Sequence, residues 1–147
     1  MTNAISVLFI RDLNRLANEI SSFQDETNMW KTTAGILNPA GTLALHITGN
    51  LQHFIGAILG GSGYVRDREH EFSARDVPAA DILAEIEQTK ETVVSALSQL
   101  EPGTMHATYP IDILESNATT EQIILHLYGH LNWHLGQVNY LRRILEA

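Results

Sequence analysis

Residues 119–147 read TTEQIILHLYGHLNWHLGQVNYLRRILEA, and this stretch decides the fold class. Thr119 followed three residues later by Gln122 resembles a capping box, in which each side chain satisfies a backbone N–H at a helix start. The spacing beyond it predicts a helix over 120–145, with Ile123, Leu127, Leu131, Val138, Leu141 and Leu145 on or beside one face. His126, His130 and His134 recur at four-residue intervals on that same face. At about 100° of rotation per residue, the three imidazoles share an arc of about 80°. A histidine ridge thus runs along a stripe that a folded chain buries, and buried imidazoles need partners.

Working outward, three more helical stretches follow from apolar spacing. Ile5, Leu8, Phe9, Leu13, Leu16, Ile20 and Phe23 form one amphipathic stripe that lasts until about Gln24. Residues 25–38 read as a loop. Asn38-Pro39 or Thr42 can open a second helix that runs to Leu59 and stops at Gly60-Gly61, with Leu43, Ile47, Leu51, Phe54 and Ile58 as its apolar stripe. Residues 60–77, GGSGYVRDREHEFSARDV, show no sustained period and read as a long loop of the kind that is more often functional than idle. A third helix begins near Pro78 to Asp81, with Ile82, Ile86, Val93, Leu97 and Leu100 on its buried side. Residues 103–116 read as a short hairpin or irregular loop without chemistry. No strand series and no internal repeat interrupts this pattern, so the expectation is a single all-α domain over residues 1–147, built as an up-and-down or crossover four-helix bundle.

Composition narrows the function classes. The 147 residues are enough for one domain with a real core. The chain has no cysteine, which excludes disulfides, thiolate metal ligands and a cysteine nucleophile. Nine lysines and arginines against 17 aspartates and glutamates give a formal charge of −8, which disfavours nucleic acid or an anionic membrane surface as a principal partner. The start, MTNAISVLFIRDLNRL, lacks a basic n-region and continues with helical periodicity past Arg11, unlike a signal peptide. No apolar run is long enough to span a bilayer. A soluble, cytoplasmic protein with a small-molecule ligand is the expectation.

The histidines carry the chemistry. Two imidazoles at i and i+4 on a helix can converge on one metal ion, and a third ligand must then come from elsewhere. On the second helix His46, Asn50 and His53 lie within about 60° of one another beside the apolar stripe. A single buried histidine is more often hydrogen-bonded to a carbonyl than a ligand. Three on one arc plus a pair on another helix would need five separate hydrogen-bond solutions, and that favours metal. One histidine from helix two with two from the last helix gives three nitrogen ligands and leaves a coordination position open, as catalytic rather than structural sites do. Spacing alone does not choose between His126 with His130 and His130 with His134.

The segment His130-Leu131-Asn132-Trp133-His134-Leu135-Gly136-Gln137, followed by Val138 to Arg143, resembles the closing helix of the DinB/YfiT-like superfamily, where an HxxxH pair precedes Gly-Gln. Leu45-His46-Ile47-Thr48-Gly49-Asn50-Leu51 resembles that family's second-helix histidine motif, and Gly60-Gly61 with residues 65–68 and Glu71-Phe72 resembles a segment of an uncharacterised branch. The resemblance covers about residues 5–145. It implies a four-helix bundle, often homodimeric, with a divalent metal, zinc or nickel, on a histidine triad that falls on His46, His130 and His134. His53 and His126 are then neighbours of the site or ordinary core or surface histidines. Characterised relatives include thiol-dependent S-transferases and a maleylpyruvate isomerase that use mycothiol, bacillithiol or glutathione, and many others have no known reaction.

By that resemblance, the function expected is a metal-dependent enzyme in which a low-molecular-weight thiol cosubstrate is activated to attack a small electrophile. A metal-dependent hydrolase and a non-catalytic metal or ligand binding module are the alternatives. Arg66 and Arg68 could meet ligand carboxylates if the long loop folds over the metal, although Asp67, Glu69 and Glu71 between them also fit a salt-bridged solvent face. Asn50 and Gln137 are candidates to hydrogen-bond an imidazole or ligand. Asp12 and Glu19, beside the stripe of the first helix, are the carboxylates offered to orient the imidazoles.

Overall fold

The computed structural model describes residues 2–114 and 116–147. Among these residues the chain is all-helical, with four long helices and one short one: α1 (Thr2–Ser21), α2 (Ala40–Leu51), α3 (Arg68–Ser73), α4 (Ala79–Ser98) and α5 (Thr120–Leu145). The apolar spacing of α1, α4 and α5 produced these helices at nearly the expected bounds. Helix α5 opens with both halves of the capping box: Gln122 N–H donates to the Thr119 hydroxyl, and Thr119 N–H donates to the Gln122 carboxamide.

Helix α1 packs on α4 and α5, and α2 packs on α3, α4 and α5. The resulting core joins Phe9, Leu13 and Leu16 of α1 to Ile82 and Ile86 of α4, and to Leu127 and Leu131 of α5. Every residue of α2 is buried. A helix enclosed all round can carry polar groups inward only if each finds a partner, which is why its His46 matters. Close approach to α2 is made possible by glycine at two positions. A Cβ at Gly41 would lie 2.7 Å from the Trp30 ring, and a Cβ at Gly49 would overlap the Glu71 carboxylate of α3.

Three expectations need correction. The second helix is not a regular α-helix to Leu59: after Leu51 it widens into a π turn over Gln52–Ala57, within which Ile55 and Gly56 are buried. Such single π turns concentrate at functional sites. Residues 60–77 are not loop throughout, because Asp67 caps α3 by accepting a hydrogen bond from His70 N–H. Six residues are too few to display a period, so the sequence pattern could not reveal this helix. Residues 103–116 hold a 3-10 turn at Thr104–His106 and lead to a lone bridge between Thr108 and Thr119; Glu115 of that stretch lies outside the described residues. A further 3-10 turn, Glu26–Trp30, lies in the first loop.

Candidate metal centre

Helices α2 and α5 bring His46, His130 and His134 together. The Nε2 atom of His130 lies 3.2 Å from Nε2 of His46 and 3.1 Å from Nε2 of His134. The ring centroids are 4.5–5.2 Å apart in edge-on arrangement. One ligand atom from each of the three falls within 4.8 Å of the others, so these histidines could hold a metal ion.

The outer nitrogens explain why the inner ones face one another. His46 Nδ1 lies 3.0 Å from Glu71 Oε1 and 3.3 Å from Arg66 Nη2; the shorter contact, to an ionised carboxylate that only accepts, puts the proton on Nδ1 and leaves a lone pair on Nε2. His134 Nδ1 lies 2.6 Å from Gln137 Oε1, another acceptor, which fixes the same tautomer. His130 Nε2 therefore sits between two lone pairs. A single proton there can satisfy one neighbour well, whereas a cation would satisfy all three. The donor set fits a borderline divalent ion, and nitrogen donors alone do not select among zinc, nickel and their neighbours.

Electrostatics disfavour a charge on His130 and His134, and a ligating imidazole must be neutral. Burial first, then the neighbouring His134, His46 and His126 and the Arg66 charge, push His130 down to about 4. Burial is also the main reason that His134 is lowered. At Glu71 burial works to raise the carboxyl, but hydrogen bonds from His46 and Arg66 overcome it and hold the group below the ordinary range.

Glu71 is the group that sequence reasoning missed. It is only 4% exposed, although its charged neighbours Asp67 and Glu69 suggest a solvent face. Arg66 meets it with both Nε and Nη2 at 2.9 Å, so the guanidinium fork is spent on this carboxylate rather than turned to a ligand. The signal for Glu71 was Gly49, a glycine inside a helix where only close approach of another group rewards its absence of a Cβ. Asp12 and Glu19 do not serve the imidazoles. Asp12 is taken by Arg11, Arg15 and Tyr128, and Glu19 by Asn139 and Arg142.

The other candidates are dispersed. His126 is exposed, so the histidine face of α5 does not point inward along its whole length. Arg68 stacks over the Phe72 ring at 4.9 Å, and Phe72 in turn lies 4.8 Å from the His46 ring. Asn50 is buried with its Oδ1 unpartnered among the described residues, as is His53 Nδ1. Burial lowers the His53 imidazole, and Arg66 adds to that. Trp133 is 70% exposed and takes no part in the cluster.

Beside His134 and Gln137 a cavity of about 470 Å³ opens between the loop at residues 35–38 and the last turns of α5. No described helix is long and apolar enough to cross a membrane. No curated protein matches the chain. A family model described as "Protein of unknown function (DUF1572)" matches residues 7–147, and the chain belongs to that family.

Proposed function

We propose that His46, His130 and His134 hold a divalent cation, zinc or nickel, and that the protein is a metal-dependent enzyme acting on a small electrophile, with a four-helix bundle of DinB-like type as its scaffold. The observation that carries this is the convergence of three Nε2 atoms whose outer nitrogens, on His46 and His134, are already engaged by Glu71 and Gln137. Side chains held this way need no reorganisation to receive an ion. The chain would fill three positions, and an open position is what separates a catalytic from a structural site.

When bound, the cation would lower the pKa of a thiol or water and so supply a nucleophile at neutral pH. The remaining parts belong to the chain. Glu71 accepts the Nδ1 proton of His46 and fixes that ring, Arg66 holds Glu71 in turn, and Gln137 orients His134. With no cysteine in the sequence, a thiol would have to arrive as a low-molecular-weight cosubstrate, which is the S-transferase-like reading we favour.

The test is elemental analysis of protein purified without a histidine tag, repeated for His46→Ala, His130→Ala and His134→Ala. Bound metal in the parent and its loss in each variant is the expected result, and undiminished metal in all three overturns the proposal. Metal-loaded protein is then assayed with small thiols and a model electrophile. Thiol-dependent turnover supports transferase chemistry, hydrolysis without thiol points to a metal-dependent hydrolase, and no turnover in either assay leaves a binding module.

A further inference from the structure

We infer that the site takes an uncharged substrate with an apolar body, seated in the cavity beside His134. This rests on the metal reading above and names the substrate class of the same site. Ile36, Leu37, Leu43, Tyr140, Leu141 and Ile144 supply most of the wall. His134 belongs to the lining together with Gln137, so the cavity adjoins an imidazole of the three-histidine cluster. The remaining polar residue of the lining is Asn38, and no lysine, arginine, aspartate or glutamate takes part.

Three observations select this chemistry over an anionic ligand. A carboxylate or phosphate on the body of the ligand, away from the histidines, would meet no countercharge along this wall. Arg66, the arginine behind His46, is clamped by Glu71 in two contacts of 2.9 Å. The net charge of −8 repels anions at long range as well. The volume, about 470 Å³, lies within the range of about 300–1,000 Å³ typical of small-molecule sites, which suits one compact ligand with its donor atom towards His134 and its body against Ile36 and Ile144.

The experiment uses zinc-loaded protein and a series of straight-chain hydroxamates, which carry a metal-binding head on a tail of chosen length, titrated by calorimetry. Acetohydroxamate reports on the metal alone. Each methylene added beyond it is expected to tighten binding about two- to fourfold until the cavity is filled. A tail of equal length ending in carboxylate is expected to lose that gain. Ile36 and Ile144 are 45% and 57% exposed, so Ile36→Asp and Ile144→Asp are compatible with folding. These variants should retain zinc while the gain with tail length flattens, and Ile144→Leu should restore it.

Equal affinity at all tail lengths, tighter binding of the carboxylate tail, or an undiminished gain in both aspartate variants overturns the inference. So does hydroxamate affinity that falls as protein concentration rises, since a second copy of the chain would then be the occupant. Failure to load zinc, or zinc-loaded protein that does not bind acetohydroxamate, overturns the metal reading instead.

Discussion

Asp12 and Glu71 are both buried carboxylates gripped by arginine, yet they lead to different ends of the molecule's chemistry. Asp12 on α1 is fully enclosed and receives hydrogen bonds from Arg11, Arg15 and the Tyr128 hydroxyl. All of these groups end there: the cluster ties α1 to α5, and Phe9 meets the Tyr128 ring edge-on at 5.3 Å. Glu71 on α3 receives hydrogen bonds from Arg66 and from His46, whose opposite nitrogen faces two further imidazoles. A carboxylate becomes part of a candidate site through what lies behind its partner, not through its burial or its arginine.

The comparison can be broken most sharply at the imidazoles. His130→Ala removes a proposed ligand and should weaken metal affinity by more than about a hundredfold, while Asp12→Ala should leave it within about twofold, both read by competition with a chelator. Glu71→Gln keeps the shape but not the charge, and should cost about 10–100-fold in metal affinity. Gly49→Ala removes no polar group at all. Because its methyl would overlap the Glu71 carboxylate, it should shift affinity in the same direction by a smaller factor, with the helical signal retained.

Stability should separate the two carboxylates in the opposite sense. Asp12→Ala is expected to cost about 2–3 kcal/mol in denaturant unfolding, since it removes the acceptor of the Tyr128 hydroxyl and dissolves a charge-assisted cluster. Burial works to raise the Asp12 carboxyl, but Arg11 and Tyr128 hold it down at about 2, against an ordinary 3.8. A folded-state value below the unfolded one stabilises above the unfolded pKa and is lost as pH falls through the folded one. Thermal unfolding of the parent should therefore lose about 2 kcal/mol between about pH 4 and pH 2 from this group, a loss that Asp12→Asn should not show. The smallest effect is expected at His126→Ala, which should leave metal affinity within about twofold, because His126 is exposed and lies outside the converging trio.

Much of the framework was legible because it repeats. Phe9, Leu13 and Leu16, or Leu127 and Leu131, recur at steps of three or four, and Thr119 with Gln122 marks a start that the backbone obeys. Less periodic features escaped. The π turn after Leu51 and the six-residue α3 are set by what packs against them, and Glu71 reads in sequence like any charge among charges. Gly49 was visible as a residue, but its purpose appears only when the carboxylate lies against it.

By itself the sequence determined that the chain is helical, that it has no thiol, and that imidazoles gather on two helices. Those properties follow from local spacing and from the side chains themselves. Only the tertiary structure decided which imidazoles converge, because His126 and His134 are equivalent neighbours of His130 along α5 and differ only in whether α2 lies opposite. It also decided that Glu71 rather than Asp12 or Glu19 stands behind His46, a choice made by helix packing across residues distant in the chain.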